Sequence, residues 1–358
     1  MKRFILIILI IVNVNTYAQD YSFSQFDLNM LYSNPAFAGY ENDNRILIHR
    51  RNQWAGISEK FNSNIIELNL SGDISNARFG RGKISWAGGV YLIEDHENLV
   101  FKEYNIGIIP WTFHFQLPKN FFISMGMQNV ISYHTLDWSK LIFSDQIDAL
   151  GLVTNQSSAN IPIYDKYTNW FDPSVGFIIT KNGFQQNYDQ SSSIGFAVHH
   201  LNRMIESFYN NQASTSKLPV KYTVHGQHKG NVPNVISRTF KYWKVFARHE
   251  RQAKYMKKDE VGFSTILSNN LQMEFGTIYR IGRFISDNSI LMSESIIPLV
   301  RIRMKPSKRI GMEMSYSYDF NISKLQNINT LATHEINLNF YFIKRKPRPC
   351  PAIGNWKN

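Results

Sequence analysis

Apolar and polar positions alternate with a period of two along most of this chain. In Ile310–Phe320 the even positions are Ile310, Met312, Met314, Tyr316, Tyr318 and Phe320, while the odd ones are Gly311, Glu313, Ser315, Ser317 and Asp319. Ala332–Phe342 repeats the pattern, with Ile336, Leu338, Phe340 and Phe342 set against Glu335, Asn337, Asn339 and Tyr341. Successive side chains of a strand point to opposite faces, so each run has one apolar and one polar face. Runs bounded by turn residues predict about fourteen strands, near 45–54, 61–72, 84–95, 103–117, 121–134, 170–182, 190–202, 217–230, 236–250, 258–268, 270–283, 288–305, 308–320 and 331–344. Pro118-Lys119-Asn120, Ser268-Asn269-Asn270 and Pro306-Ser307 read as tight turns, whereas 135–169 and 203–216 read as long polar loops. An even number of antiparallel strands returns both chain ends to one rim.

The N-terminus changes what this pattern means. Lys2 and Arg3 precede an unbroken apolar run, Phe4–Val12, and Thr16-Tyr17-Ala18 places small residues for cleavage between Ala18 and Gln19. This is the form of a secretory signal peptide, and the run is too short to cross a bilayer as a helix. Exported strands of about ten residues, apolar on one face and polar on the other, suit a transmembrane β-barrel of the outer membrane. Lipid makes closure compulsory, because an open sheet edge would leave backbone groups unpaired. A soluble β-sandwich is the rival architecture. Trp54, Trp86, Trp111, Trp138, Trp170 and Trp243 fall at or near strands or their ends, where a barrel carries interfacial aromatic girdles.

Composition adds exclusions. Past residue 18 no run of 18 apolar residues exists, so transmembrane helices are not expected. Cys350 is the only cysteine, which rules out an intramolecular disulfide. The net charge falls from +12 to +10 when Lys2 and Arg3 leave with the signal, and half of the remainder sits in the basic, proline-rich stretch Lys344–Asn358. Export and strand-spaced aromatics argue against nucleic acid as the partner of this charge. The predicted division is a signal peptide over 1–18, an N-terminal plug or periplasmic segment over 19–44, a barrel over 45–344 and a tail over 345–358.

Several phrases in order along the chain carry a resemblance. They are Phe23-Ser24-Gln25-Phe26, Asn29, Tyr32-Ser33-Asn34-Pro35-Ala36-Phe37-Ala38-Gly39, Arg50-Arg51-Asn52-Gln53-Trp54, Leu141-Ile142-Phe143-Ser144-Asp145-Gln146, Tyr279-Arg280, Tyr316-Ser317-Tyr318-Asp319 and His334-Glu335-Ile336. Together they resemble the PorP/SprF family of outer-membrane proteins associated with the type IX secretion system of Bacteroidota. The resemblance implies an accessory that supports export or surface anchoring of a specific client, such as a gliding adhesin. Its implied partners are that client, the type IX components and outer-membrane lipid. An outer-membrane diffusion channel or transporter is the alternative function.

Residues 24–40 are broken by Asn34-Pro35 and Gly39 and hold too many aromatics to stay in water. Phe23, Phe26, Tyr32, Asn34, Pro35, Phe37 and Gly39 are therefore expected to fold against the lumen or the periplasmic rim as a plug, near the periplasmic mouth, a flexible lead-in being the plain alternative. Arg50, Arg51, Arg280, Glu313, Asp319 and Glu335 lie on polar strand positions and are candidates for a lumenal ion network, against a merely solvated wall. No metal site is expected: His199 and His200 are adjacent and should face opposite ways, as should His225 and His228. The Glu94–Glu97 acidic cluster reads as a solvated hairpin end. No serine-hydrolase elbow, phosphate-binding loop or zinc-protease motif is present, so no enzymatic activity and no cofactor are predicted.

Overall fold

The computed structural model describes residues 20–40, 44–54, 56, 61–79, 82–97, 100–148, 150–153, 157–158, 165–181, 190–208, 217–233, 239–253, 256–268, 271–286, 289–307, 309–322 and 332–342. The signal peptide and the basic tail lie outside the described residues. Among the described residues, fourteen strands form one closed antiparallel barrel. They are β1 (Asn44–Gln53), β2 (Phe61–Phe79), β3 (Gly82–Glu97), β4 (Phe101–Leu117), β5 (Phe121–Leu136), β6 (Lys166–Lys181) and β7 (Ser191–His199), followed by β8 (Lys221–Asn231), β9 (Phe240–Gln252), β10 (Met256–Ser268), β11 (Gln272–Ser286), β12 (Ser289–Met304), β13 (Ile310–Asn321) and β14 (Thr333–Phe342). Each strand pairs with its neighbours in sequence, and β1 closes the ring on β14 from Asn44 opposite Phe342 to Gln53 opposite Thr333.

Each expected strand has its counterpart, with shifted bounds. β2 runs on to Phe79, and β6 begins at Lys166, inside what the sequence suggests is loop, because Lys166–Asn169 pair with Ser132–Thr135 of β5. β8 starts only at Lys221, after Pro219, whose missing N–H suits it to a place outside the ladder. The first residue of β1 and the last of β14 share one rim, hereafter the terminal rim. The two longest connections, β5–β6 and β7–β8, both lie on the opposite loop rim.

The alternation in sequence becomes inside and outside. In β13 Gly311, Glu313, Ser315, Ser317 and Asp319 are buried in the lumen while Met314, Tyr316 and Phe320 face out. β14 does the same, with Glu335, Asn337, Asn339 and Tyr341 inward and Ile336 outward. Ile48, Leu68, Val90, Ile106, Val175, Phe196, Val224, Phe263, Phe275 and Ile296 continue the outer apolar surface around the barrel. In water such a surface would be untenable; in lipid it is the solvated face. Trp86 and Trp111 are exposed in the half nearer the terminal rim, and Trp170 is exposed near the loop rim. Trp138 instead sits in the β5–β6 loop against Phe208, 6.0 Å between ring centroids.

Placing an arginine at Ile296, on the outer face midway along β12, should cost about 2–4 kcal/mol of stability in lipid. Unfolding titrations in vesicles check this: an effect near zero would mean that Ile296 does not face the bilayer core.

Candidate functional site

Residues 20–40 run through the lumen, and nearly all of them are buried. Their backbone cannot join a ladder: only Met30–Ser33 forms a helical turn and Pro35–Phe37 a 3-10 turn. The inner wall must therefore supply partners for their polar groups. Asp20 lies at the loop rim, bonded to His200 just past β7, to Lys221 at the start of β8 and to Gln252 at the end of β9. Ala38, Gly39 and Tyr40 lie towards the terminal rim, where they meet His114, Asn69 and Thr180. The segment thus spans the length of the lumen, because polar partners line the wall at every level.

Ser24 occupies the centre of an ion cluster. Its hydroxyl donates to Asp319 at 2.7 Å and accepts from Arg51 at 3.0 Å and Arg280 at 2.7 Å. Glu335 accepts the backbone N–H of Ser24 at 2.7 Å and of Gln25 at 3.1 Å, and holds Arg51 at 2.5 Å and His49 at 3.2 Å. Arg280 bridges Asp319 at 2.7 Å and Glu260 at 2.6 Å. Arg248, paired with Glu260, donates to the carbonyl of Phe23 at 3.0 Å. Four strands, β1 from the start of the barrel and β11, β13 and β14 from its end, are thereby tied to one serine of the lumenal segment.

A second cluster forms around Asp27, which receives both terminal nitrogens of Arg301 at 2.7 Å and the Lys244 ammonium at 2.8 Å. Glu274 balances these two cations, 3.1 Å from Lys244 and 3.3 Å from Arg301. A third surrounds Asp20, where His200 lies 3.0 Å from Asp20 and 2.6 Å from Asp172. Burial alone would lower the pKa of the His200 imidazolium, but these two carboxylates outweigh it and carry the pKa up to about 10. Buried ion pairs of this kind add little net stability, yet removing one partner is costly. They fix position more than they add strength.

Each sequence-predicted residue of the segment has a definite place. The Phe23 ring packs 4.9 Å from that of His49, and Phe26 lies 5.5 Å from Phe246 with the Arg248 guanidinium 4.4 Å over its ring. Tyr32 meets Tyr91 edge-on at 6.0 Å, with Lys221 4.7 Å above its ring. Asn34 caps the N–H of Ala36 at 2.9 Å and reaches His225 at 3.0 Å, and the carbonyl of Pro35 accepts from Thr112. Phe37 stacks on His225 at 4.7 Å. Gly39 adopts φ of 69°, and a Cβ there would fall 2.4 Å from Cβ of Ala87. Gly39→Ala should accordingly destabilise the barrel by about 1–3 kcal/mol, measured by denaturant unfolding; a neutral result would mean that the segment is not seated here.

Of the six polar strand residues, Arg51, Arg280, Asp319 and Glu335 converge on Ser24. Glu313 is lumenal but separate, paired with Arg303 at 2.6 Å towards the terminal rim. Arg50 needs correction: it is exposed on the outer face, since strand alternation admits only one of Arg50 and Arg51 to the lumen. His200 also departs from expectation. The strand ends at His199, and φ of 59° turns the next residue inward. Ser24, Asp27, Lys244, Arg248, Glu260 and Arg301 were not singled out from sequence. A signal for the strand residues exists, since Arg248 shares the parity of Glu250 and Gln252, and Glu260 that of Lys258, on inward faces.

The sequence pattern described as type IX secretion system membrane protein PorP/SprF matches residues 15–340. The chain belongs to this family. It is an outer-membrane β-barrel of the type IX secretion system. No curated protein matches the sequence. Among solved structures it is similar to the CymD monoaromatic hydrocarbon channel, with 9% identity, a TM-score of 0.46 and coverage of 85% of this chain and 89% of that one. It is also similar to the β domain of the Bordetella autotransporter BrkA, with 8% identity, a TM-score of 0.39 and coverage of 84% and 97%.

Proposed function

We propose that this PorP/SprF barrel is a dedicated accessory for an exported surface protein, such as an adhesin, supporting its export or its retention at the cell surface. The observation that carries the reading is the lumen itself, occupied from rim to rim by buried residues 20–40. A barrel filled in this way works by recognition at its outer rim more readily than by conduction. Residues 20–40 act as a plug in this reading, and the Ser24 and Asp27 clusters are its fastenings. The β5–β6 loop adds support, since Ile142, Ile147, Leu150, Leu152 and Val153 are exposed there, beyond the strands, with Leu150 at 85%. Apolar side chains held out in water mark a contact surface.

A photocrosslinking amino acid at Leu150 in living cells tests the proposal, with the same group at lipid-facing Ile296 for comparison. The expected result is covalent capture of one large exported protein from Leu150 and none from Ile296. Equal capture from both positions, or only non-secreted envelope proteins at Leu150, would count against it.

A further inference from the structure

Among the described residues, a cavity of about 60 Å³ opens at the loop rim between the start of the lumenal segment and the inner wall of β4 to β8. It has room for a few small polar groups. The two cations in its lining, Lys221 and His200, are taken up by Asp20 and Asp172, which leaves the remaining carboxylates unlike those elsewhere in the lumen. Glu67, Glu250, Glu260, Glu274, Asp319 and Glu335 each hold a lysine or arginine within 3.3 Å. Glu103 and Glu206, which both line the cavity, hold none within 4.0 Å among the described residues. Their nearest base is His134, 3.8 Å from Glu103 and 4.0 Å from Glu206. Burial, helped by the nearby Asp20 and Asp172 charges, pushes the Glu206 carboxyl up to about 7 against the pull of His200.

The cavity wall also carries unused acceptors. Gln128 Oε1, Ser174 Oγ, His199 Nε2 and Asp172 Oδ1 have no hydrogen-bond partner, although each of these residues is no more than 3% exposed. A buried polar atom without a partner is destabilising. A ligand with several N–H donors and a positive charge would satisfy both the surplus carboxylates and these atoms. Val130, Met204 and Leu218 supply an apolar side to the same cavity. An alkyl chain ending in a compact cation fits that combination. Among the described residues no group of three or more His, Cys, Asp or Glu is arranged to hold a metal ion.

We infer that this mouth cavity binds a primary alkylammonium group, with Glu103 and Glu206 balancing its charge, Gln128 and Ser174 accepting its N–H bonds, and Val130, Met204 and Leu218 packing on its methylenes. Two sources carry such a group. One is a lysine side chain of a polypeptide at the rim. The other is the chain's own α-ammonium, which cleavage before Gln19 would create one residue from Asp20. The inference concerns the chemistry of the mouth and stands whether or not the barrel serves a client.

The test uses the full mature protein in lipid nanodiscs, titrated calorimetrically with acetyl-Gly-Lys-Gly-amide and with the neutral norleucine counterpart. Saturable binding of the lysine peptide, at least tenfold tighter than norleucine and lost in Glu103→Gln/Glu206→Gln, is expected if the ligand comes from another polypeptide. If the peptide does not bind, amine acylation read by mass spectrometry decides, in a Gln19→Ser background where the amine cannot cyclise. An N-terminus protected in the parent but reactive in the double variant assigns the site to the chain's own ammonium. No peptide binding together with an equally reactive N-terminus in both proteins would overturn the inference. The single loop variant Glu206→Gln replaces the double variant should the latter fail to fold, with weakened binding or partial loss of protection expected.

Discussion

Glu335→Ala is expected to lower the stability of the folded barrel by about 3–5 kcal/mol, the usual cost of stripping one partner from a buried charge cluster. The reason is the number of groups that depend on this one carboxylate. Arg51 would lose its nearer carboxylate and keep only Asp319 at 3.8 Å, His49 would lose its neighbour at 3.2 Å, and the backbone N–H groups of Ser24 and Gln25 would lose their acceptor, all in sites closed to water. Unfolding titrations of the purified protein in vesicles measure the loss. The same substitution in a protein lacking residues 22–39 separates the two contributions: it should cost clearly less there, since Ser24 and Gln25 are gone. An effect below about 1 kcal/mol in the complete protein would place Glu335 on a solvated wall.

Deleting residues 22–39 should convert a barrel without resolved ion conductance into one with discrete conducting steps in planar bilayers. These residues are the material that fills the lumen, and removing them leaves Arg280, Arg301, Lys244 and Glu274 facing an aqueous bore. Stability should fall as well. Burial of Phe23, Leu31 or Phe37 is worth about 1.5–3 kcal/mol each, partly offset by the ~1–2 kcal/mol that ordering each residue costs. A deletion protein with unchanged conductance would mean that the segment does not obstruct the bore. In cells, the proposed role predicts that the deletion also abolishes client delivery.

The fold was legible because a barrel in lipid writes its geometry into the period of its strands. Ile310–Phe320 shows this most directly: its even and odd positions become the outer and inner faces without exception in the described core of β13. Bounds were less legible where pairing overrides local composition, as when Lys166–Asn169 join β6 through their partners in β5. The site was legible as separate parts. The polar parity of Arg51, Arg280, Asp319 and Glu335 was readable strand by strand, but nothing in the sequence says that β1, β11, β13 and β14 bring them to Ser24. That depends on the curvature of the barrel and on the path of an irregular segment, neither of which has a period. Arg50 shows the converse error, a charge assigned by residue type where parity already excluded it. Asp27 escaped notice because a single aspartate in a non-strand segment has no pattern around it, and its importance lies wholly in Arg301 and Lys244.

The most direct measurement of the central claim is a comparison of surface proteomes between the parent strain, a strain lacking this gene, and one producing the protein without residues 22–39. A dedicated accessory predicts that one or two large exported proteins disappear from the surface in both altered strains while the remaining secreted proteins stay. An unchanged surface proteome in the strain lacking the gene would contradict that role and leave the barrel as a channel whose bore is closed at rest.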